Sequence, residues 1–253
     1  MLHLQADLDV KSPVKLLLTG GQPITKSLLS YVGNVCDQIL VGYGATECPL
    51  VSTLIISSAG TFVDFSSGYA TSGMEVKIVD GKERTVPVNT CCEIYVKSKI
   101  LFKGYYNDKE KTEAVLTEDG WYKTDDLGRM LEDGSLMVEG RKSNMIISGG
   151  MNVAPEILET SIAKCPGVES VVLVPVPDVV MYQVICACVK PVPGGDVTEE
   201  VVRKFCENAH GDKLGLFTVL PKYYMFLDSF PETSTGKIAR KTLTAWAEKT
   251  FIK

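Results

Sequence analysis

The spacing of apolar positions changes character twice along the chain. Residues 14–18 (VKLLL) form a strand-length apolar run that stops at Thr19-Gly20-Gly21. Beyond Pro23, Ile24, Leu28 and Leu29 recur at helical spacing, and residues 37–41 form a second strand running into Gly42-Tyr43-Gly44. Strand, glycine turn, helix, strand and glycine turn predict the edge of an α/β layer, whose site loops belong at the strands' carboxyl ends. From Ser72 the period shortens to two. Residues 75–79, 93–97, 129–131 and 136–139 alternate between turn signals, with Glu132-Asp133-Gly134-Ser135 as a hairpin turn. That pattern predicts a small antiparallel sheet or barrel, interrupted by a short polar helix over 107–115.

After residue 154 the pattern becomes mixed. Residues 155–165 are amphipathic, with Pro155 in the first turn of the predicted helix. Residues 168–176 and 182–189 read as apolar strands. Residues 197–209 read as a helix capped by Thr198, with Glu199 and Glu200 in its first turn. A short strand over 223–227 and a helix over about 240–249 complete the block. Between the two textures lies GRKSNMIISGGMNVAPEILE, residues 140–159. Its Gly-Arg followed by Lys142-Ser143-Asn144 predicts either a swivel, with unusual dihedrals at Gly140 and Asn144, or an ordinary connector.

At 253 residues there is room for two domains with their own cores, and 45% hydrophobic with 23% charged residues is a globular composition. A net charge of −5 argues against nucleic acid or an anionic membrane as the main partner. The most apolar stretch, 171–189, is cut by Pro175, Pro177 and Asp178, so it predicts no membrane span, and residues 1–9 carry no signal pattern. The eight cysteines include no Cys-x-x-Cys pair and the chain has only His3 and His210, which argues against zinc. Free thiols fit a reducing, intracellular compartment, cytoplasmic or mitochondrial.

Four constellations could carry chemistry. In YGATE, residues 43–47, Gly44 lets backbone approach a ligand, Thr46 can donate to a phosphate and Glu47 can hold a divalent metal; a tight turn with a surface Glu is the alternative. In GWYKTDDL, residues 120–127, Asp125 and Asp126 at a strand start could receive ribose hydroxyls, or they form a solvated turn behind a packed Trp. Arg141 could clamp a phosphate or ribose, or be a surface cation. In PETSTGKIAR, residues 231–240, Lys237 on a mobile loop could deliver a point charge to developing negative charge, or mark a capped helix start. Ile238 follows the Lys where a Walker loop needs Ser or Thr, so it is no Walker loop.

The order and spacing of these four resemble the adenylate-forming (AMP-binding) superfamily: acyl-CoA synthetases, peptide-synthetase adenylation domains and luciferases. Residues 43–47 match its Y-G-x-T-E motif, 121–127 its W-x-x-[TG]-[GD]-D-L motif, 140–159 its hinge and Gly-Gly loop, and 231–240 its P-x-T-x-x-G-K-[IL]-x-R motif. Residues 93–105 resemble its G-E-[LI]…K-G-Y segment. KGYYND and MIISGGMN look most like medium- and long-chain fatty-acid–CoA ligases.

The resemblance implies a fold of mixed class. Residues 1–140 would end a large AMP-binding domain, as an α/β segment over 1–71 and a barrel-like segment over 72–140. Residues 141–144 would be a hinge, and 145–253 a small α+β C-terminal domain. It implies a ligase that activates a carboxylic acid, a medium- or long-chain fatty acid, through an acyl-adenylate and passes the acyl group to coenzyme A. ATP/AMP and Mg²⁺ complete the reactants. Thr46 would touch phosphate, Glu47 would hold Mg²⁺, Tyr43 would lie against adenine and Asp126 would bind the ribose hydroxyls. Gly20, Gly21 and Gly44 would border the nucleotide, and Arg141 would reach ribose and phosphate. Lys237 would bridge carboxylate and α-phosphate, Asn144 would be the hinge, and Gly149 and Gly150 would line the CoA passage.

Three positions depart from the pattern: Asp125 stands at a common Gly, Cys92 at the Gly of G-E-[LI], and Ser148 at a frequent basic residue. The phosphate-binding loop and most of the large domain have no counterpart, so the chain is expected to be incomplete and inactive alone. Its α/β layer should then show an unpaired edge and exposed apolar faces. Pairing with the missing half or with a full-length relative is the implied partnership. A non-catalytic, regulatory remnant is the alternative function.

Overall fold

The computed structural model describes residues 14–21, 24–26, 29–30, 36–57, 59–210, 219–234 and 236–252. The expected contribution of Pro23 and Leu28 to a helix lies outside them, as does Thr235. The chain divides into two compact units, Met1–Glu139 and Gly140–Lys253.

In the first unit β1 (Val14–Gly20) pairs in parallel with β2 (Cys36–Tyr43), at one end of an eight-stranded order β1-β2-β3-β4-β8-β7-β6-β5. β3 (Ser52–Ile56) and β4 (Ser66–Ala70) connect this layer to the antiparallel run of β5 (Glu75–Val79), β6 (Cys92–Lys97), β7 (Tyr122–Met130) and β8 (Leu136–Arg141). The segment over 72–140, expected as a small antiparallel sheet or barrel, holds this antiparallel run. Its strands continue the α/β layer through the β4–β8 pairing. Gly68 permits the join: its φ is +77° and a Cβ there would overlap the backbone oxygen of Thr53.

β1 ends the strand order, and Val14, Leu16 and Leu18 are exposed, Leu18 at 68%. Parallel strands are normally covered on both faces, and among the described residues β1 pairs with β2 on one side and exposes leucines on one face. The short polar helix appears as α1 (Lys109–Val115), capped by Asp108, whose side chain accepts from the Lys111 N–H at 3.0 Å.

The second unit is built on β9 (Ile146–Ser148), β10 (Met151–Val153), β11 (Val168–Asp178), β12 (Tyr182–Pro191) and β13 (Tyr223–Phe226), ordered β10-β9-β12-β11 with β13 parallel to β12. Its two long strands read as continuous apolar runs because both faces are buried. Val171, Leu173, Ile185, Ala187 and Val189 pack against α2 (Pro155–Ile162) and α3 (Glu199–His210). The alternate residues Val172, Val174, Cys186 and Cys188 pack against Leu243 and Ala247 of α4 (Arg240–Phe251). Full burial of a side chain such as Leu243 contributes about 1.5–3 kcal/mol. Pro175 and Pro177 are tolerated because β11 ends the strand order among the described residues, paired with β12. Val201 N–H reaches Thr198 Oγ1 at 3.4 Å, so Thr198 does cap α3.

Candidate functional site

The first motif folds into a tight turn where β2 ends. The N–H and carbonyl of Ala45 exchange two bonds of 3.1 Å with those of Cys48, so Thr46 and Glu47 stand at the tip. Gly44 is required there for space: a Cβ would lie 2.5 Å from the Leu50 nitrogen. One strand over, Gly20 and Gly42 face each other in register, and a Cβ on Gly20 would overlap the Gly42 oxygen. Gly21 adopts φ +76°, a left-handed turn. The Cys48 thiol, pushed up to about 11 chiefly by burial, stays protonated and is no nucleophile.

The second motif meets the first. The Tyr43 hydroxyl donates to Asp126 Oδ2 at 2.7 Å. Burial, then the Asp126 charge, holds the Tyr43 phenol well above its ordinary value, so it remains a donor. The acids do not open a strand, as the sequence pattern suggests, but sit within β7. Pairing slips there from Glu93↔Leu127 to Tyr95↔Lys123, leaving two extra residues on β7. Asp125 takes φ +64° in this bulge, the left-handed region that favours the Gly seen in the resembling motif. Thr124 Oγ1 donates to the Ile94 carbonyl at 2.8 Å and accepts from the Asp126 N–H at 3.0 Å, fixing the bulge.

Sequence reasoning gave Tyr105 no role, yet its hydroxyl donates to Glu47 Oε1 at 2.7 Å. Phe102 supports it edge-on, with ring centroids 5.1 Å apart, and the Phe102 N–H donates to the Glu47 carbonyl at 2.9 Å. The signal was the K-G-Y segment itself. Its conformation depends on Gly104, φ +142°, where a Cβ would lie 2.8 Å from the Thr112 methyl.

The remaining candidates belong to the second unit, where Arg141 closes β8 and is exposed. Residues Lys142–Asn144 form a 3₁₀ turn, and Asn144 Nδ2 donates to Glu156 Oε1 at 2.8 Å. The unusual dihedrals expected at Gly140 and Asn144 are absent from the left-handed set. Gly140 serves a different purpose: a Cβ there would lie 2.5 Å from Glu156 Oε2. Gly149 and Gly150, at φ +57° and +83°, form the two-residue turn between β9 and β10. Beside them opens a cavity of ≈ 530 Å³ lined by Ser148, Met151, Met181 and the Asp178–Lys222 ion pair, among others.

The described residues around Lys237 form a hydrogen-bonded turn. Thr233 N–H donates to the Lys237 carbonyl at 2.7 Å, Glu232 bridges Ile238, and Gly236 takes φ +75°. Lys237 is exposed at its end. Three residues on, Arg240 is anchored by a bidentate pair to Glu159, both bonds 2.7 Å.

Residues 1–106 match the family model of the AMP-binding enzymes, and residues 158–237 match that of the AMP-binding enzyme C-terminal domain. The chain is 31% identical over 238 residues to the long-chain-fatty-acid–CoA ligase FadD13 of Mycobacterium tuberculosis, covering 94% of this chain and 46% of the relative. Among solved structures it resembles ATP-bound MatB of Rhodopseudomonas palustris at TM-score 0.82 and 26% identity, covering 93% of this chain and 46% of the other. The o-succinylbenzoate CoA synthetase MenE of Bacillus subtilis, in complex with its acyl-adenylate intermediate OSB-AMP, matches at TM-score 0.79 and 26% identity, covering 92% and 47%. The chain thus spans about half the length of the relatives it matches. Among the described residues no helix is long and apolar enough to cross a membrane. Two family matches in this order along one chain, joined to a close fold likeness, show that it belongs to the adenylate-forming AMP-binding enzyme family.

Proposed function

We propose that the chain is part of an ATP-dependent acyl-CoA synthetase. In the first half-reaction a carboxylate oxygen attacks the α-phosphorus of ATP, the bond to the β-phosphate breaks, and pyrophosphate leaves. In the second, the CoA sulfur attacks the acyl carbon and AMP leaves. The Tyr43–Asp126 bond carries this reading, because it joins two motifs 83 positions apart.

In this reading the Asp126 carboxylate accepts from the ribose hydroxyls while Tyr43 orients it and lies against the adenine. Gly20, Gly21 and Gly44 leave room for the nucleotide, and Thr46 donates to phosphate. Glu47, steadied by Tyr105, suits Mg²⁺, which takes one or two carboxylates and completes its shell with water and phosphates. Bound there, the ion would neutralise phosphate charge. Arg141 reaches ribose and phosphate. Lys237 stabilises the charge that builds between carboxylate and α-phosphate, then withdraws as the second unit turns about Asn144 and brings Gly149-Gly150 to the CoA arm. The segments 1–140, 141–144 and 145–253 are then the end of the large domain, the hinge and the small domain.

The β1 edge, with β2 as its partner among the described residues and with exposed leucines, supports a requirement for further polypeptide, either a large-domain segment or a full-length relative. It equally favours the second reading, a non-catalytic partner that docks on such a relative. The distinguishing experiment measures pyrophosphate release from ATP over a panel of carboxylic acids. It compares the chain alone with the chain joined to the large-domain part of a related ligase. The synthetase reading expects little turnover alone and release with medium- or long-chain fatty acids once joined. Release with no acid would contradict it.

A further inference from the structure

Glu156 is 6% exposed, in the first turn of α2, and none of the functional assignments uses it. Its Oε1 accepts from Asn144 Nδ2 at 2.8 Å and lies 3.9 Å from the Arg240 guanidinium. Its Oε2 is buried without a hydrogen-bond partner among the described residues and faces the place where a Cβ on Gly140 would lie, 2.5 Å away. One carboxylate therefore touches both ends of the 140–144 turn and the first residue of α4.

The connection onward is short and stiff. Arg240 is fixed by Glu159 and by the Leu173 carbonyl, which accepts from Nη1 at 3.0 Å. The Arg240 N–H donates to the Ile238 carbonyl at 3.1 Å, and the Ala239 N–H to that of Pro231 at 2.8 Å, which closes the Lys237 turn at its base. A buried carboxylate oxygen lacking a partner is costly, so the Glu156 carboxylate has reason to shift when either neighbour moves. If Asn144 leaves, the oxygen it releases can close the 3.9 Å gap to Arg240.

We propose that Glu156 is a positioning residue that couples the 140–144 turn to the Lys237 turn through Arg240. Its value to catalysis rests on the synthetase reading, in which those two turns are the hinge and the carrier of Lys237. The coupling itself needs no substrate to be seen.

The test is amide hydrogen exchange of the 253-residue chain, followed by mass spectrometry, for Asn144→Ala, Glu156→Gln, Gly140→Ala and the double variant N144A/E156Q. Each single variant is expected to speed exchange over 232–238, Asn144→Ala and Glu156→Gln by about tenfold, the factor that loss of a bond to a charged group gives. Core strands β11 and β12 should keep the exchange of the unaltered chain. Gly140→Ala tests the same route without touching Asn144 or Arg240. The double variant should exceed neither single one, since both cut one path. Faster exchange confined to 140–148, an equal rise in β11 and β12, or additive effects would each overturn the coupling. Such a failure leaves the synthetase reading standing, and loss of that reading leaves the exchange result untouched.

Discussion

The hydroxyl of Tyr43 lies 2.7 Å from Oδ2 of Asp126, so the end of β2 and the bulge of β7 hold each other in place. Tyr43→Phe leaves a half-buried carboxylate short of a donor and should cost about 1–3 kcal/mol in urea unfolding. Because the Tyr43 phenol is held up by burial and by Asp126, it stays neutral where the unfolded phenol ionises. Its contribution is complete below about pH 10 and falls as pH rises beyond that. Asp126→Asn should lower the Tyr43 ionisation pH, as read by ultraviolet absorbance titration.

Asp125 occupies a left-handed conformation at φ +64°. Asp125→Gly should raise stability by about 0.5–1 kcal/mol, the relieved strain outweighing the added freedom of the unfolded chain. A denaturant midpoint that falls would show that the Asp125 side chain holds the bulge.

Arg240 and Glu159 form a part-buried bidentate pair. Arg240→Met should destabilise the second unit by roughly 1–3 kcal/mol, because it strands a largely buried carboxylate. Burial already pushes the Glu159 carboxyl up against the opposing pull of Arg240. Without Arg240 it should rise further and bind its proton in the folded state. The variant's stability is then present at low pH and lost as pH rises through that raised value, so the deficit should be smaller at pH 5 than at pH 8.

Leu16 and Leu18 stand exposed on β1 at the end of the sheet. Leu18→Lys should change unfolding free energy by less than about 0.5 kcal/mol. It should also reduce concentration-dependent association in light scattering, since a charge on an open edge discourages strand pairing.

Much of this architecture was legible where local period decides it. Glu75–Val79, Cys92–Lys97, Val168–Asp178 and Tyr182–Pro191 lie within a few residues of the runs that announce them. What the pattern did not yield depends on distant partners. Strands β3 and β4 were unassigned, because their pairing hangs on Gly68 lying against Thr53. Tyr105 meets Glu47 across 58 positions. Gly140 looked like a source of unusual dihedrals, but its need is room for the Glu156 carboxylate, a neighbour 16 residues on that no local rule names. The bulge at Asp125 is set by a two-residue slip against β6, which the acidic pair alone cannot reveal.

The central claim is that Lys237 serves the adenylation step alone. Its most direct test splits the reaction in the joined polypeptide. Pyrophosphate release from ATP and a fatty acid is measured beside thioester formation from a supplied acyl-adenylate and CoA. Lys237→Ala should lower the first by about 10²–10³-fold, as loss of a group that stabilises transition-state charge does, and leave the second nearly unchanged. Equal loss of both half-reactions, or no loss of the first, would contradict the assignment.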